Sequence, residues 1–438
     1  MELTIVGTGY VGLTAGVCLA NKGHNIICLD TNLPKIEKLK NGMEVIYEPN
    51  MKQLINKAIE NKKIKFTANY KEVYNNSKII ILCVPTPEEL NGSVNMEYIN
   101  KAIDQISENI KNDCYIIIKS TVPVGTCDKI LKRFQKNKYK INVIFNPEFL
   151  AQGEAVNNFL NPQRIVIGVN NLESKRLMEK IYKEFDAPKI FMDTKSAELS
   201  KYACNNFLAL KLSYINELSN LCEKLEINVE NILNVMKLDA RIGREYLEPG
   251  LGYGGSCLTK DTKALAKLAK ENEVQLNTIE AAISTNEMQK NKLIEKLDKY
   301  YINKKDLNIA ILGLSFKENT NDLRGSQAIE TIMKLKDKVN KIFCYDNKQS
   351  TLENAKQLFQ KYSNIFFTIT IENAIQGADV CMIFNKEKEI LELSPDVFKK
   401  YMRKPLILDG KNCFNMIFMN DKGIKYDSIG RNINGKNN

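Results

Sequence analysis

Residues 3–12 read LTIVGTGYVG. Four residues of strand character, LTIV at 3–6, run into a G-x-G-x-x-G loop at Gly7, Gly9 and Gly12, and a helix-forming run follows. In that order the glycines let the backbone approach a pyrophosphate at the helix N-terminus, where amide donors and the helix dipole favour negative charge. A second apolar run, IICLD, ends at Asp30, 18 residues past Gly12. A carboxylate there would accept from ribose hydroxyls and repel a 2′-phosphate, so the pattern points to NAD rather than NADP. Lys35 lies close enough to assist. A tight turn with no ligand is the plain alternative.

Outward from this loop the pattern repeats. Short Val/Ile-rich runs at 26–30, 78–84, 115–119, 142–145 and 165–169 are apolar on both faces, as in a parallel sheet covered by helices. They predict a doubly wound α/β domain over 1–195. From 196 the texture changes: SAELSKYACNNFLALKLSYINELSNLCEKLEI holds no Gly or Pro. As one helix it would span roughly 45 Å. Ser196 is the expected N-cap, with Glu198 in the first turn. A central helical region over 196–304, with this helix as a natural dimer interface, follows. A second α/β pattern occupies 305–427, with runs at 307–316, 341–346, 378–384 and 405–410. Only Gly313 remains there of a glycine loop, so this domain suits a nucleotide-like group and not a dinucleotide. Residues 428–438 read as a polar, disordered tail. The fold expected is therefore α/β: two doubly wound Rossmann-like domains joined by a long central helix and helical region.

Composition narrows the chemistry. The 438 residues carry 63 Lys+Arg against 52 Asp+Glu, a net charge of +11. The excess is scattered lysine with no basic stripe of interleaved aromatics, which gives no support to nucleic-acid binding. No apolar run approaches the ~20 residues of a membrane helix, and no signal peptide is read at the N-terminus, so a cytoplasmic protein is expected. Eleven cysteines without a C-x-x-C suit reduced core thiols better than disulfides or a zinc site. The single histidine, His24, falls in a turn. Acid–base work therefore falls to Asp, Glu, Lys or water.

Several segments carry candidate chemistry. Thr86 (CVPTP) and Thr121 (STVPVGT) follow predicted strands, at the sheet edge where ligands bind in this architecture. Glu148, in NPEFLAQGEA, follows another strand. Lys201 and Asn205 are spaced i, i+4 and share a helix face; aimed into a cleft they could stabilise an oxyanion. In GYGGSCLTKD (252–261), Cys257 stands near a helix start. The helix dipole and Lys260 would both favour its thiolate, and Asp261 shares its face. Lys317 and Arg324, in FKENTNDLRGS, offer cations suited to phosphate. Each has a plain reading too: an ordinary turn, a solvated carboxylate, an exposed polar stripe, a small buried thiol, a charged loop.

Together, GTGYVG, KSTVPVGT, NPEFL, AELSKYACNNF, ARIG, GYGGSCLTKD, FKENTNDLR and DGKN resemble the UDP-glucose/GDP-mannose dehydrogenase family, in order along nearly the whole chain. The resemblance implies oxidation of a sugar-nucleotide primary alcohol to a carboxylate with two NAD+, and the NPEFL segment resembles the branch acting on UDP-glucose. By motif, Cys257 would be the nucleophile. Lys201 and Asn205 would stabilise oxyanions, Asp261 and Thr121 would order a water, and Glu148 would be the base for thioester hydrolysis. NAD would touch Gly7, Gly9, Val11, Gly12, Asp30, Lys35, Thr86, Thr121, Gln152, Lys260 and Arg324. The UDP-sugar would touch Glu148, Phe149, Leu150, Gln152, Lys201, Asn205, Tyr246, Leu247, Gly250, Gly254 and Lys317, with Arg241 reaching a neighbouring subunit's substrate. A homodimer is implied, and no metal. Three positions depart from the family's pattern. Gln152 stands for Glu and cannot act as a base. Thr259 stands for Pro, which would loosen the helix start. Lys411 stands for Arg and offers a point charge to phosphate. The first two leave open a homologue that binds NAD and the sugar nucleotide without efficient turnover.

Overall fold

The computed structural model describes residues 1–431. The chain divides into two compact units at Cys204/Asn205, inside the long helix, so the helical region beyond this point groups with the second α/β domain.

The first unit is built on an eight-stranded sheet. Its strands are β1 (Glu2–Val6), β2 (Asn25–Leu29), β3 (Ile64–Thr67), β4 (Ile79–Leu82), β5 (Cys114–Ile118), β6 (Ile141–Phe145), β7 (Ile165–Gly168) and β8 (Lys189–Met192). Their spatial order is β3-β2-β1-β4-β5-β6-β7-β8. Neighbours run parallel except β6 and β7, which meet antiparallel at Phe145 and Gly168. The order reverses between β1 and β4, the switch point at which such sheets open a crevice at their carboxyl edge. Every residue of β4 and β6 is buried, as continuous apolar runs require. The strands with no counterpart in the sequence reading, β3 and β8, are the sheet's edges. They are partly exposed and carry lysine, so they lack the unbroken run that marks a central strand.

The long helix, Thr194–Lys224, has 31 residues. Ser196 is not its cap: Asp193 Oδ1 accepts from the Ser196 amide at 2.9 Å, so the cap lies three residues earlier. Glu198 does not serve the helix end either. It is fully buried, and its carboxylate accepts from the amides of Gly125 and Cys127, pinning the loop after β5. Burial pushes that carboxyl above its usual range despite these bonds.

In the second unit, β9 (Asn308–Leu312), β10 (Lys341–Tyr345), β11 (Ile365–Thr368), β12 (Val380–Ile383), β13 (Leu406–Asp409) and β14 (Lys425–Ser428) form a parallel sheet, ordered β11-β10-β9-β12-β13-β14. The edge strands β11 and β14 are again the ones the sequence reading lacks. The expected tail begins too early at 428. Ser428 closes β14, Ile429 is fully buried, and Gly430 donates to Glu223 and accepts from the Val229 amide. Residues 432–438 lie outside the described residues.

Of the eleven cysteines, eight are buried, Cys204 and Cys413 are half-buried, and Cys257 is exposed. Burial holds Cys18, Cys83 and Cys114 at about 12, as neutral thiols. His24 is buried against the Ile181 carbonyl. Among the described residues no helix is long and apolar enough to cross a membrane.

Candidate active site

The three loop glycines do different work. Gly7 has φ +90°, and a Cβ there would lie 2.8 Å from the Cys83 carbonyl oxygen. A Cβ on Gly12 would lie 1.8 Å from the Gly7 oxygen. The fold itself demands both. Gly9 caps the helix Tyr10–Asn21 with an ordinary φ of −74°, and nothing lies within 4 Å of where its Cβ would be. Packing does not require that glycine. It leaves open space before first-turn amides, Val11 among them, that have no acceptor within the helix. This is the room a pyrophosphate needs, and the residues fit NAD on that ground.

Asp30, at the end of β2, is held by four donors. Its Oδ2 accepts from Thr8 N (2.8 Å), Thr8 Oγ1 (2.6 Å) and Lys35 Nζ (2.9 Å), and its Oδ1 accepts from Asn32 N (3.0 Å). Burial opposes the charge, but the Thr8 and Lys35 bonds outweigh it and hold the carboxyl at about 2. Lys35 thus lies beside Asp30, while Thr8 was not foreseen. Thr86 and Thr121 are half-buried on the loops after β4 and β5. Ser120 Oγ ties those loops together by donating to the Val84 carbonyl at 2.7 Å.

Glu148 and Lys201 form a buried pair. Lys201 Nζ lies 2.6 Å from the Glu148 carbonyl and 3.1 Å from its Oε1, with side-chain exposures of 3% and 8%. An exposed polar stripe is therefore not what this helix face is. Burial pushes the Glu148 carboxyl up, and the Lys201 charge pulls it below its usual range. Lys201 also lies 5.1 Å from the centre of the Phe149 ring, and the Arg164 guanidinium 4.1 Å from it. Leu150 donates its amide to Glu148 Oε2, and Gln152 is half-buried on the turn that follows.

Asn205, one turn along the helix, belongs to the second unit's set. Its Nδ2 donates to Asp261 Oδ2 at 2.7 Å, and Lys260 Nζ lies 2.5 Å from Asp261 Oδ1. Asn206 binds the Asp261 carbonyl at 3.0 Å. Asp261 is 1% exposed, with one donor on each carboxylate oxygen and a third on its main-chain carbonyl. Cys257 is the N-cap of the helix Leu258–Glu271, and the Asp261 amide donates to its carbonyl at 2.9 Å. Lys260 pairs with Asp261, and Arg324 grips Asp322 in a fork, a pairing that favours its charge first, with Cys257 adding to it. Thr259 does not loosen the helix start: the helix begins at Leu258, and Thr259 Oγ1 donates to the Gly255 carbonyl at 2.7 Å.

The glycines before Cys257 let two loops interlock. A Cβ on Gly254 would lie 2.3 Å from the Gly325 oxygen, and one on Gly255 (φ +77°) 2.8 Å from the Phe316 ring. The Cys257 loop thereby sits on the loop carrying Lys317 and Arg324. Asn286 braces it, accepting from the Tyr253 amide (2.7 Å) and donating to the Tyr253 carbonyl (3.1 Å). Gly250 has both backbone groups engaged, by Asn216 (2.9 Å) and Gln289 (2.7 Å). Leu247 is buried in a cluster with Ile215, Val229 and Leu233, so its side chain packs the unit. Tyr246 is exposed at φ +61°. Arg241 is 90% exposed and forked onto Asp239. Lys411 extends its stem to within 4.0 Å of a Gly250 Cβ position, and burial lowers its ammonium below the usual range. The braces Asn216, Asn286 and Gln289 were missed. Amide side chains on buried helix faces, such as the i, i+3 pair Asn286 and Gln289, were the available signal.

Comparison with known proteins gives the family of both units. Residues 1–186 match the NAD binding domain of the UDP-glucose/GDP-mannose dehydrogenase family, 195–288 its central domain and 310–416 its UDP binding domain. A UDP-glucose 6-dehydrogenase of Rickettsia bellii is 37% identical over 437 residues, covering 99% of this chain and 100% of the relative. The Bacillus subtilis UDP-glucose 6-dehydrogenase TuaD is 36% identical over 433 residues, covering 98% and 93%. A UDP-glucose dehydrogenase structure from Pyrobaculum islandicum superposes with a TM-score of 0.89 at 27% identity, covering 98% and 96%. The chain belongs to the UDP-glucose/GDP-mannose dehydrogenase family, and its action is NAD-dependent oxidation of a nucleotide sugar.

Proposed function

We propose that the nucleotide sugar is UDP-glucose, oxidised at its primary alcohol to the carboxylate of UDP-glucuronate through a thioester on Cys257. The observation carrying this is the setting of Cys257: an exposed thiol at a helix start, with Asp261 fixed one turn below by Asn205 and Lys260. The relatives named for UDP-glucose support the choice of sugar.

NAD+, when bound, accepts a hydride in each of the two oxidations. This chain's residues do the rest. Asp261 and Thr121 order the water that takes the alcohol proton. The Cys257 sulfur adds to the aldehyde carbon, forming a C–S bond and an alkoxide that Lys201 and Asn205 stabilise. Loss of hydride from that carbon leaves a thioester. Water then attacks, the C–S bond breaks, and the thiolate leaves. Glu148 is the base for that step. Lys201 holds its carboxyl low; as Lys201 turns to an oxyanion, the hold weakens and Glu148 becomes a stronger base.

Phe207, Tyr214 and Leu221, spaced seven apart on the long helix, are 61%, 54% and 52% exposed. Such a stripe is apolar surface for a second copy of the chain, and a homodimer is part of the proposal. Its buried, neutral thiols suit a reducing, cytoplasmic setting.

The test is a panel of UDP-glucose, UDP-N-acetylglucosamine, UDP-N-acetylmannosamine and GDP-mannose, each with NAD+. UDP-glucose should have the highest kcat/KM by at least tenfold. A higher value for another sugar refutes the substrate. Tight binding of UDP-glucose without turnover would instead favour a binding protein.

A further inference from the structure

We infer that Glu48 is a positioning residue for the cofactor, latching the Gln152 turn to the first residue of the glycine-loop helix. Glu48 lies between the helices Leu33–Lys40 and Met51–Glu60 and is 3% exposed. Its Oε2 accepts from the Tyr10 hydroxyl and from the Gly153 amide (2.8 Å), and its Oε1 accepts from the Ala155 amide (2.5 Å). The Gly153 amide also reaches the Tyr10 oxygen at 3.1 Å, and the Tyr47 carbonyl, 3.1 Å from that oxygen, is the alternative acceptor for its single proton.

The three donors on this carboxylate come from two places. Tyr10 opens the helix Tyr10–Asn21, whose N-terminus faces the open space beside Gly9. Gly153 and Ala155 bracket the start of the helix Ala155–Leu160, which has no side-chain cap of its own. The two helices pack together. Glu48 caps one of them from a distance and grips the first residue of the other. The spacing between the pyrophosphate end and the Gln152 turn is thereby fixed by one side chain. All its partners donate, so a carboxylate, which only accepts, fits the position. A glutamine of equal shape would aim an amide donor at another donor.

This rests on the assignment of NAD to the glycine loop. The test is calorimetric titration of the full chain and of Glu48→Gln, Tyr10→Phe and the double variant, with NAD+ and separately with UDP. Each single change should weaken NAD+ about tenfold, the scale of one hydrogen bond to a charged group. The double variant should be no more than about twofold worse than the worse single, because both act through one contact. UDP affinity should stay within about twofold in all four proteins, which general unfolding would not allow. Wild-type NAD+ affinity in folded Glu48→Gln, additive losses, or a parallel loss of UDP binding would each overturn the inference. If Glu48→Gln does not fold, Tyr10→Phe decides: weakened NAD+ binding supports the latch, and unchanged binding refutes it. A wild-type protein that binds no NAD+ would instead sink the cofactor assignment.

Discussion

Glu148 and Lys201 stand 53 residues apart in the chain, and neither could be buried charged without the other. Nothing in NPEFL or in AELSKYACNNF names the other segment as partner; only the fold joins them. The same holds for Thr8 and Asp30. Asp30 was legible because its spacing from the glycine loop is a motif, whereas Thr8 occupies a variable x of G-x-G and its hydroxyl could not be assigned. Asp30 supports a prediction with a definite sign. Its carboxyl moves from 3.8 to about 2 on folding. A shift of this size corresponds to roughly 2.5 kcal/mol by linkage, cut by solvent screening to about 1 kcal/mol. A lowered value stabilises above the unfolded pKa and loses that stabilisation as pH falls through the folded one. Asp30→Asn should therefore be about 1 kcal/mol less stable in urea at pH 7. The gap should close between pH near 4 and pH near 2. A gap that persists at pH 2 would show that the carboxylate charge is not its source.

At the scale of elements, the glycine loop separates folding from binding. Gly12→Ala forces a Cβ to 1.8 Å from the Gly7 oxygen and should cost about 3 kcal/mol or more, or prevent folding. Gly9→Ala meets nothing and should leave the melting temperature within a few degrees, yet weaken NAD+ at least tenfold by filling the pyrophosphate's space. Equal NAD+ affinity in Gly9→Ala would contradict the cofactor placement. The long helix yields a separate expectation. Tyr214→Glu puts a charge in the middle of the Phe207–Leu221 stripe and should shift sedimentation from dimer to monomer with the fold intact. An unchanged dimer would put the interface elsewhere. The helix itself was legible from its length without Gly or Pro. Its true start was not, because Asp193 and Ser196 are both good capping residues and the choice depends on the chain leaving β8. Central strands were legible as unbroken apolar runs. The edge strands β3, β8, β11 and β14 were not, because each is only four residues long, partly exposed and broken by at least one polar residue.

For the whole molecule, both units carry a sheet with the same switch-point topology, and their carboxyl edges are finished differently. In the first, Asp30 is half-buried and has an oxygen bonded by one donor, so a ribose can still reach it. In the second, the matching Asp346 at the end of β10 is fully buried and accepts from Leu314, Ser315 and Lys348 amides. Beside it the buried pair Lys348–Glu387 takes the Asn319 amide. The position matching Asp30 is thus taken up by the protein's own groups, in keeping with the missing dinucleotide fingerprint of the second domain. One cysteine is then asked to join the two oxidations. The measurement that tests this most directly is NADH formed per UDP-glucose consumed, in the wild type and in Cys257→Ser. The account predicts about two in the wild type. It predicts that Cys257→Ser makes no uronate at a rate within about a thousandfold of wild type, and at most one NADH per sugar. Two NADH per sugar from Cys257→Ser at near wild-type rate would contradict the covalent mechanism.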